Sequence, residues 1–288
     1  MGKRGLRPVK MGERRYLYLF LIPLIMIITL FLLVPLIFVL RDSLLSQGRL
    51  SLANYYAIFT KRLYLSSFKT SLLLSLTTTA IGTLIGIPLS YVIYRRGPRA
   101  QDLLLSLTSI PLVFSGLVVG FSFIVILGSS GFITLILKKL FNINPVEFSA
   151  FLFTWKGLVI AYLYFLIPRM ILTMTAAWAS FDWNLLDAAL SLGASYTLTF
   201  RKVILPAIAP SVIAGSSLLF AVSMGAFGTA FALTGTGVNI VPLLIYTHIS
   251  EVGIELGRAD ALAILLTLLT TSIVMIYERL FVRRSTRV

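Results

Sequence analysis

Apolar residues come in six long runs, near Tyr16–Leu40, Thr70–Tyr94, Leu103–Leu127, Gly157–Trp178, Ile208–Leu233 and Ala261–Phe281. Short segments where Lys, Arg, Pro and Gly collect separate them. A helix needs about 20 mostly apolar residues to cross a hydrocarbon core, and each run is that long. Strands of a membrane barrel would be about ten residues long and would alternate; these runs are continuous. The pattern predicts an all-α, polytopic membrane bundle of about six transmembrane helices. The connection Gly128–Trp155 is itself fairly apolar, and Phe132–Phe141 has the spacing of a helix lying on the outer surface.

Composition agrees. The 288 residues are 58% hydrophobic and 12% charged, and mean hydropathy is +0.97. Soluble domains carry about twice that share of charge, so a water-facing surface of this size would go uncovered. The net charge of +15 does not read as a nucleic-acid footprint. The basic residues cluster between apolar runs, where anionic lipid headgroups are the natural partner. Cysteine is absent, which excludes disulfides and cysteine-ligated metal sites.

The first run follows Lys3, Arg4, Arg7, Lys10, Arg14 and Arg15. It is too long for a signal-peptide core and lacks a small-x-small cleavage site, so it reads as a retained helix. Lys and Arg favour cytoplasmic loops. With the N-terminus inside, fifteen fall on inner segments and nine on outer ones. The expectation is therefore a cytoplasmic basic tail 1–15, one transmembrane domain 16–282 and a cytoplasmic tail 283–288, in the cytoplasmic (inner) cell membrane with both termini cytoplasmic.

One inner loop, 182–206, is more than a connector. Asp182 can cap a helix, and Asp187 sits early in it, where the helix dipole favours an anion. Ala188 and Ala189 form helix with little bulk. Gly193 suits the left-handed residue after a helix end. Ser195 can cap a second short helix, expected to end by Pro206. Such a helix–turn–helix could dock a partner through Leu185, Leu186, Leu190 and Leu192; equally, it could be a re-entrant or interfacial helix lying on the membrane.

The loop resembles the EAA motif of permease subunits in type I ABC importers, the MetI-like, binding-protein-dependent transport family. That pattern is Glu-Ala-Ala, three residues, Gly, nine residues, Ile-x-Leu-Pro. Here Asp187-Ala188-Ala189 stands for the triplet, Gly193 falls at the same spacing, and Val203-Ile204-Leu205-Pro206 closes it. Asp replaces Glu and Val replaces Ile. Asn54-Tyr55 precedes the second run as in that family. Phe227-Gly228-Thr229 resembles the subgroup serving polyamines, ferric iron, thiamine, sulfate or phosphonates. The resemblance implies five core helices and a first helix embracing a second permease subunit, the same or a different chain. It also implies ATPase subunits docked at Asp187, Ala188, Ala189, Gly193, Val203, Leu205 and Pro206, and an extracytoplasmic substrate-binding protein. ATP and Mg would belong to the ATPase, with no cofactor, metal or catalytic residue on this chain. The sequence has no phosphate-binding loop of its own; its one Gly-Lys pair is Gly2-Lys3.

Arg169 follows Pro168 near the middle of the fourth run. An intramembrane cation faces a cavity or a partner. It either lines the pathway and favours anions, or ties the proline kink to a neighbour. Ser223, Phe227, Gly228 and Thr229 are candidate pathway residues on the fifth run, against ordinary helix packing by small residues. Two other classes remain to be weighed. A secondary transporter would need acids within its spans. An intramembrane serine protease would pair Ser130 of Gly128-Ser129-Ser130-Gly131 with His248, but His248 reads as a loop surface residue. Glu251, Glu255 and Asp260 fall on the outer side, where they either meet a binding protein or form a solvated loop.

Overall fold

A computed structural model describes residues 21–46, 48–235, 237–250 and 255–285, with side chains of the last helix as far as Arg279. The tail 1–15, the start of the first run and Glu251 lie outside the described residues. Thirteen helices, besides a short 3-10 helix at Phe151–Phe153, follow among the described residues: α1 Leu21–Ser43, α2 Ala53–Thr60, α3 Arg62–Tyr94, α4 Pro98–Val113, α5 Gly116–Leu127, α6 Phe132–Phe141, α7 Pro145–Ala150, α8 Trp155–Ser180, α9 Asn184–Ser191, α10 Tyr196–Gly225, α11 Gly228–Thr234, α12 Val241–Ser250 and α13 Leu256–Ser285. A two-residue hairpin, Leu45–Ser46 with Arg49–Leu50, follows α1. Six stretches are long and apolar enough to cross a membrane: α1, α3, Gly116–Phe141, α8, α10 and Leu256–Arg279.

Two predicted runs are not single helices. Leu103–Leu127 divides at Phe114 and Ser115, both extended, into α4 and α5. Ser115 stops one helix and caps the next, accepting a hydrogen bond from the Val118 N–H at 3.4 Å. Crossing length is met instead by α5 together with α6. Ile208–Leu233 divides at Ala226 and Phe227, so α10 ends at Gly225 and α11 begins at Gly228. Apolarity alone cannot mark such breaks, because a run stays hydrophobic through a change of backbone direction.

The core is α8, whose Leu158, Tyr162, Leu166, Met170 and Met174 are fully buried. It packs most extensively against α3, and α3 and α8 both pack against α10. The reason lies in α3. Its buried side chains include Ser67, Ser71, Ser75, Thr78, Gly82, Gly86 and Ser90, one small residue per helical turn. Small residues let backbones approach and replace the hydrophobic drive that lipid removes. At the closest point, a Cβ on Gly86 would lie 2.6 Å from Met170 Cβ, and one on Gly215 would lie 2.8 Å from Met170 Sδ. Met170 is thus clamped between two glycines of α3 and α10. By contrast, α1 exposes its apolar side chains along its length and touches mainly α13. Asn54 of α2 ties down its end, donating from Nδ2 to the carbonyls of Ser43 (3.0 Å) and Leu45 (2.9 Å).

Gly86→Val should force this joint apart. Overpacking costs typically 1–3 kcal/mol, so the purified protein should unfold at a lower temperature in detergent. An unchanged midpoint would mean that the contact carries little of the bundle's stability.

Candidate functional site

Two places bring the singled-out residues together. The first is the loop after α8. Asp182 Oδ1 accepts hydrogen bonds from the Asn184 backbone N–H (3.1 Å) and side-chain amide (2.9 Å), holding the first turn of α9. Gly193 takes φ +82, a conformation costly for residues with a Cβ. Ser195 then accepts from the Leu198 N–H at 3.3 Å and starts α10.

The expected stop at Pro206 does not occur. α10 runs from Tyr196 through Pro206 into the span. The five residues Phe200–Ile204 form a π turn, closed by the Leu205 N–H on the Phe200 carbonyl. A π turn is wider than an α turn, which accommodates the proline ring and its missing N–H. Val203 lies in that turn, half-buried, while Leu205 is exposed just beyond it.

On this loop Asp187, Ala188 and Gly193 are exposed and Ala189 is partly covered. Around them Leu192 is 88% and Tyr196 75% exposed, and Leu185 and Leu198 are also exposed. The root of the loop is anchored. Trp183 stacks on Tyr94 at 12° and donates its indole N–H to the Tyr94 hydroxyl at 3.0 Å. Trp178 donates to Ser90 Oγ at 3.0 Å. Both α8 and α9 are therefore fastened to the end of α3. Beside these anchors is an apolar cavity of about 390 Å³, walled by Pro88, Tyr91, Trp178, Trp183, Phe200 and Leu205 among others.

The second place lies within the bundle. Arg169, Phe227, Gly228 and Thr229 line one cavity of about 290 Å³ together with Pro111, Phe114, Gly116, Phe165 and Gly225. It opens where both broken runs meet. There a Cβ on Gly120 would lie 2.5 Å from Ala232 Cβ, and one on Gly228 would lie 2.8 Å from the Leu117 nitrogen, so only glycines permit α5 and α11 to approach this closely. Two carbonyls beside the breaks accept side-chain hydroxyls: Thr229 Oγ1 donates to Gly116 O at 2.8 Å, and the Tyr162 hydroxyl to Ala226 O at 2.7 Å. Arg169 donates from Nη1 to Phe165 O at 2.6 Å, and its guanidinium carbon lies 5.5 Å from the Phe165 ring centre. Ser223 is elsewhere, buried on α10 with its hydroxyl 2.9 Å from Thr78 Oγ1.

Sequence reasoning missed Pro111, Phe114 and Gly116 because they sat inside a run taken as one helix. The available signal was Pro111 followed four residues later by Ser115-Gly116, a stop and a cap. It also missed Trp183 and Tyr94, whose pairing spans two loops.

His248 is not a surface residue. It is 6% exposed, with Nε2 3.0 Å from the Tyr64 hydroxyl and Nδ1 3.2 Å from Glu255 Oε2. Glu255 also pairs with Arg258, so it belongs to a built cluster, not to a solvated loop. Asp260 sits within α13. Tyr64 and Glu255 occupy the imidazole that a protease reading would assign to Ser130.

The comparisons with known proteins agree on one family. The family model described as "Binding-protein-dependent transport system inner membrane component" matches residues 80–287. Over 257 residues the chain is 30% identical to the spermidine/putrescine transport system permease protein PotB of Haemophilus influenzae, covering 86% of this chain and 88% of that one. Over 212 residues it is 30% identical to the molybdenum transport system permease protein ModB of Escherichia coli, covering 71% and 90%. Its fold is similar to a chain in the crystal structure of a bacterial ABC transporter involved in the import of the acidic polysaccharide alginate, with TM-score 0.74 and 18% identity over 94% of this chain and 96% of that one.

The His248 cluster has a pH signature. His248 lies outside the six crossing stretches, and burial holds its pKa below the usual histidine value, against the opposing pull of Glu255 and with help from Arg258 and Lys61. The folded state thus prefers the neutral ring. Its contribution is complete above about pH 6.5 and is lost as pH falls through the lower folded value. Thermal unfolding at pH 7.5 and 5.5 should show a larger acid-induced drop in the native protein than in His248→Gln; equal drops would remove histidine as the cause.

Proposed function

Because the chain belongs to the family of binding-protein-dependent transport system inner membrane components, we propose that it forms the translocation path of an ATP-driven importer and that α9 is its coupling helix. In this reading a separate ATPase subunit receives α9 and the start of α10 from the cytoplasmic side. A second permease subunit completes the path, and a substrate-binding protein delivers solute from outside. Both chain termini lie in the cytoplasm. The resemblance of 182–206 to the EAA motif supports the docking, with Asp187, Ala188, Ala189, Gly193, Val203, Leu205 and Pro206 in that segment.

One observation carries the proposal: a tightly capped helix–turn–helix presents exposed Leu185, Leu192, Tyr196 and Leu198 around the small residues Ala188 and Ala189. Such an exposed apolar patch marks a protein or membrane contact, and the EAA-like sequence around it favours the ATPase. Burying a side chain of this size contributes about 1.5–3 kcal/mol, so a few suffice for a socket-and-plug contact. The anchors at Trp183–Tyr94 and Trp178–Ser90 tie that plug to α3 and α8. Movement of the ATPase pair would therefore reach the core helices as a rigid-body tilt. The spans would alternate between inward-open and outward-open states about an intramembrane site.

The test is co-purification. Ala188→Trp and Leu192→Glu should each leave this chain in the membrane but strip most of the ATPase subunit from the solubilised complex. A full ATPase complement in both variants would rule out α9 as the docking element. Orientation is tested separately. The chain has no cysteine, so Ser191→Cys, on an exposed turn of α9, introduces a single label site. A membrane-impermeant maleimide should label it in inside-out vesicles and not in intact cells; the reverse pattern would invert the proposed topology.

A further inference from the structure

We propose that the cavity around Arg169 is where solute passes, and that the solute is a small anion bearing an oxyanion or carboxylate group. This rests on the translocation reading above and adds the substrate class.

Arg169 lies near the middle of the 26-residue helix α8, where an unbalanced charge is costly and marks a pathway or a partner. Among the residues lining the cavity it is the only charged one. Among the described residues no carboxylate pairs with it; the ion pairs there join Glu255 to His248 and Arg258. A guanidinium has five N–H donors, and one of them is spent on the Phe165 carbonyl. The site is thus rich in donors and carries uncompensated positive charge.

Two carbonyls beside the breaks, in contrast, are already bound. Broken spans usually expose carbonyls that could coordinate a cation. Here Thr229 takes Gly116 O and Tyr162 takes Ala226 O. Helix starts and helix ends both border the cavity, α5 at Gly116 and α11 at Gly228 against α4 at Phe114 and α10 at Gly225, so their dipoles offset one another and Arg169 supplies the net charge. A cation would meet Arg169 with these two acceptors already bound. An anion would meet a guanidinium suited to two-point contact with carboxylate, sulfate or phosphate oxygens. The volume of about 290 Å³ suits a small solute. Met170, clamped by Gly86 and Gly215, fixes the turn of α8 that carries Arg169.

The experiment uses the complete transporter, with its ATPase and second permease, in lipid nanodiscs. Phenylglyoxal modifies accessible arginines, and mass spectrometry reads the rate at Arg169. Probes are sulfate, phosphate and citrate, set against spermidine and trehalose, at ionic strength matched with chloride. The expected result is labelling of Arg169 that one or more of the three anions slow several-fold while spermidine and trehalose do not. Absence of labelling, equal protection by spermidine or trehalose, or rates unaffected by all three anions would overturn the proposal; the last would indicate a partner carboxylate on Arg169. Failure of the importer reading shows differently, as a complex lacking ATPase before any labelling begins.

Discussion

Close approach of α3 to α8 is the constraint from which the rest of the bundle follows. Lipid gives helices no hydrophobic reason to associate, so contact must come from packing and hydrogen bonds. The stripe Ser67, Ser71, Ser75, Thr78, Gly82, Gly86 and Ser90 keeps to one side of α3 and supplies both. Glycines admit Met170 and Leu219. Thr78 and Ser90 hydrogen-bond with Ser223 and Trp178. With α3 and α8 locked, α10 fits over both, and α13 and α1 stay on the outside.

That lock decides where irregular backbone can exist. Non-helical segments at membrane depth are tolerated only where protein or a polar cavity satisfies their backbone groups. Both breaks, at Phe114–Ser115 and at Ala226–Phe227, face each other across the Arg169 cavity. Each hands a carbonyl to a hydroxyl from another element: Gly116 O to Thr229 of α11, Ala226 O to Tyr162 of α8. The irregularity is thus paired with its own compensation.

Legibility in the sequence followed the range of the interaction. The 182–206 loop could be read closely because caps and turns are local: Asp182, Gly193 and Ser195 take the positions their chemistry suggests. The six apolar runs announced the bundle for the same reason. What failed was anything depending on a distant residue. Pro206 reads as a stop until a π turn upstream makes room for it. His248 reads as a surface residue because its partners Tyr64 and Glu255 lie one on α3 and one beyond α12. The breaks at 114–115 and 226–227 sit inside apolar runs, and only the closeness of α5 to α11 through Gly116, Gly120 and Gly228 makes them intelligible. The α3 stripe is an exception that could have been found, since one small residue per turn is a sequence pattern.

The two sites share a mechanical link. α8 carries Arg169 at its middle and Trp178 at its end, and Trp183 begins the α9 turn just beyond. Trp178 and Trp183 are each fastened to α3, so a push on α9 cannot be absorbed by the short segment between α8 and α9. It must move α3 and α8 together. The apolar cavity beside these anchors is bounded by α10 on its far side, so α10 is the element with room to shift against the pair. α10 ends at Gly225, on the wall of the Arg169 cavity. Its π turn at Phe200–Ile204 lies between the proposed docking face and that wall, and π turns inside helices are frequent at functional sites. A tilt of α10 relative to the α3–α8 pair would open or close the cavity against Arg169. The transport step would then need no rearrangement of the α3–α8 lock.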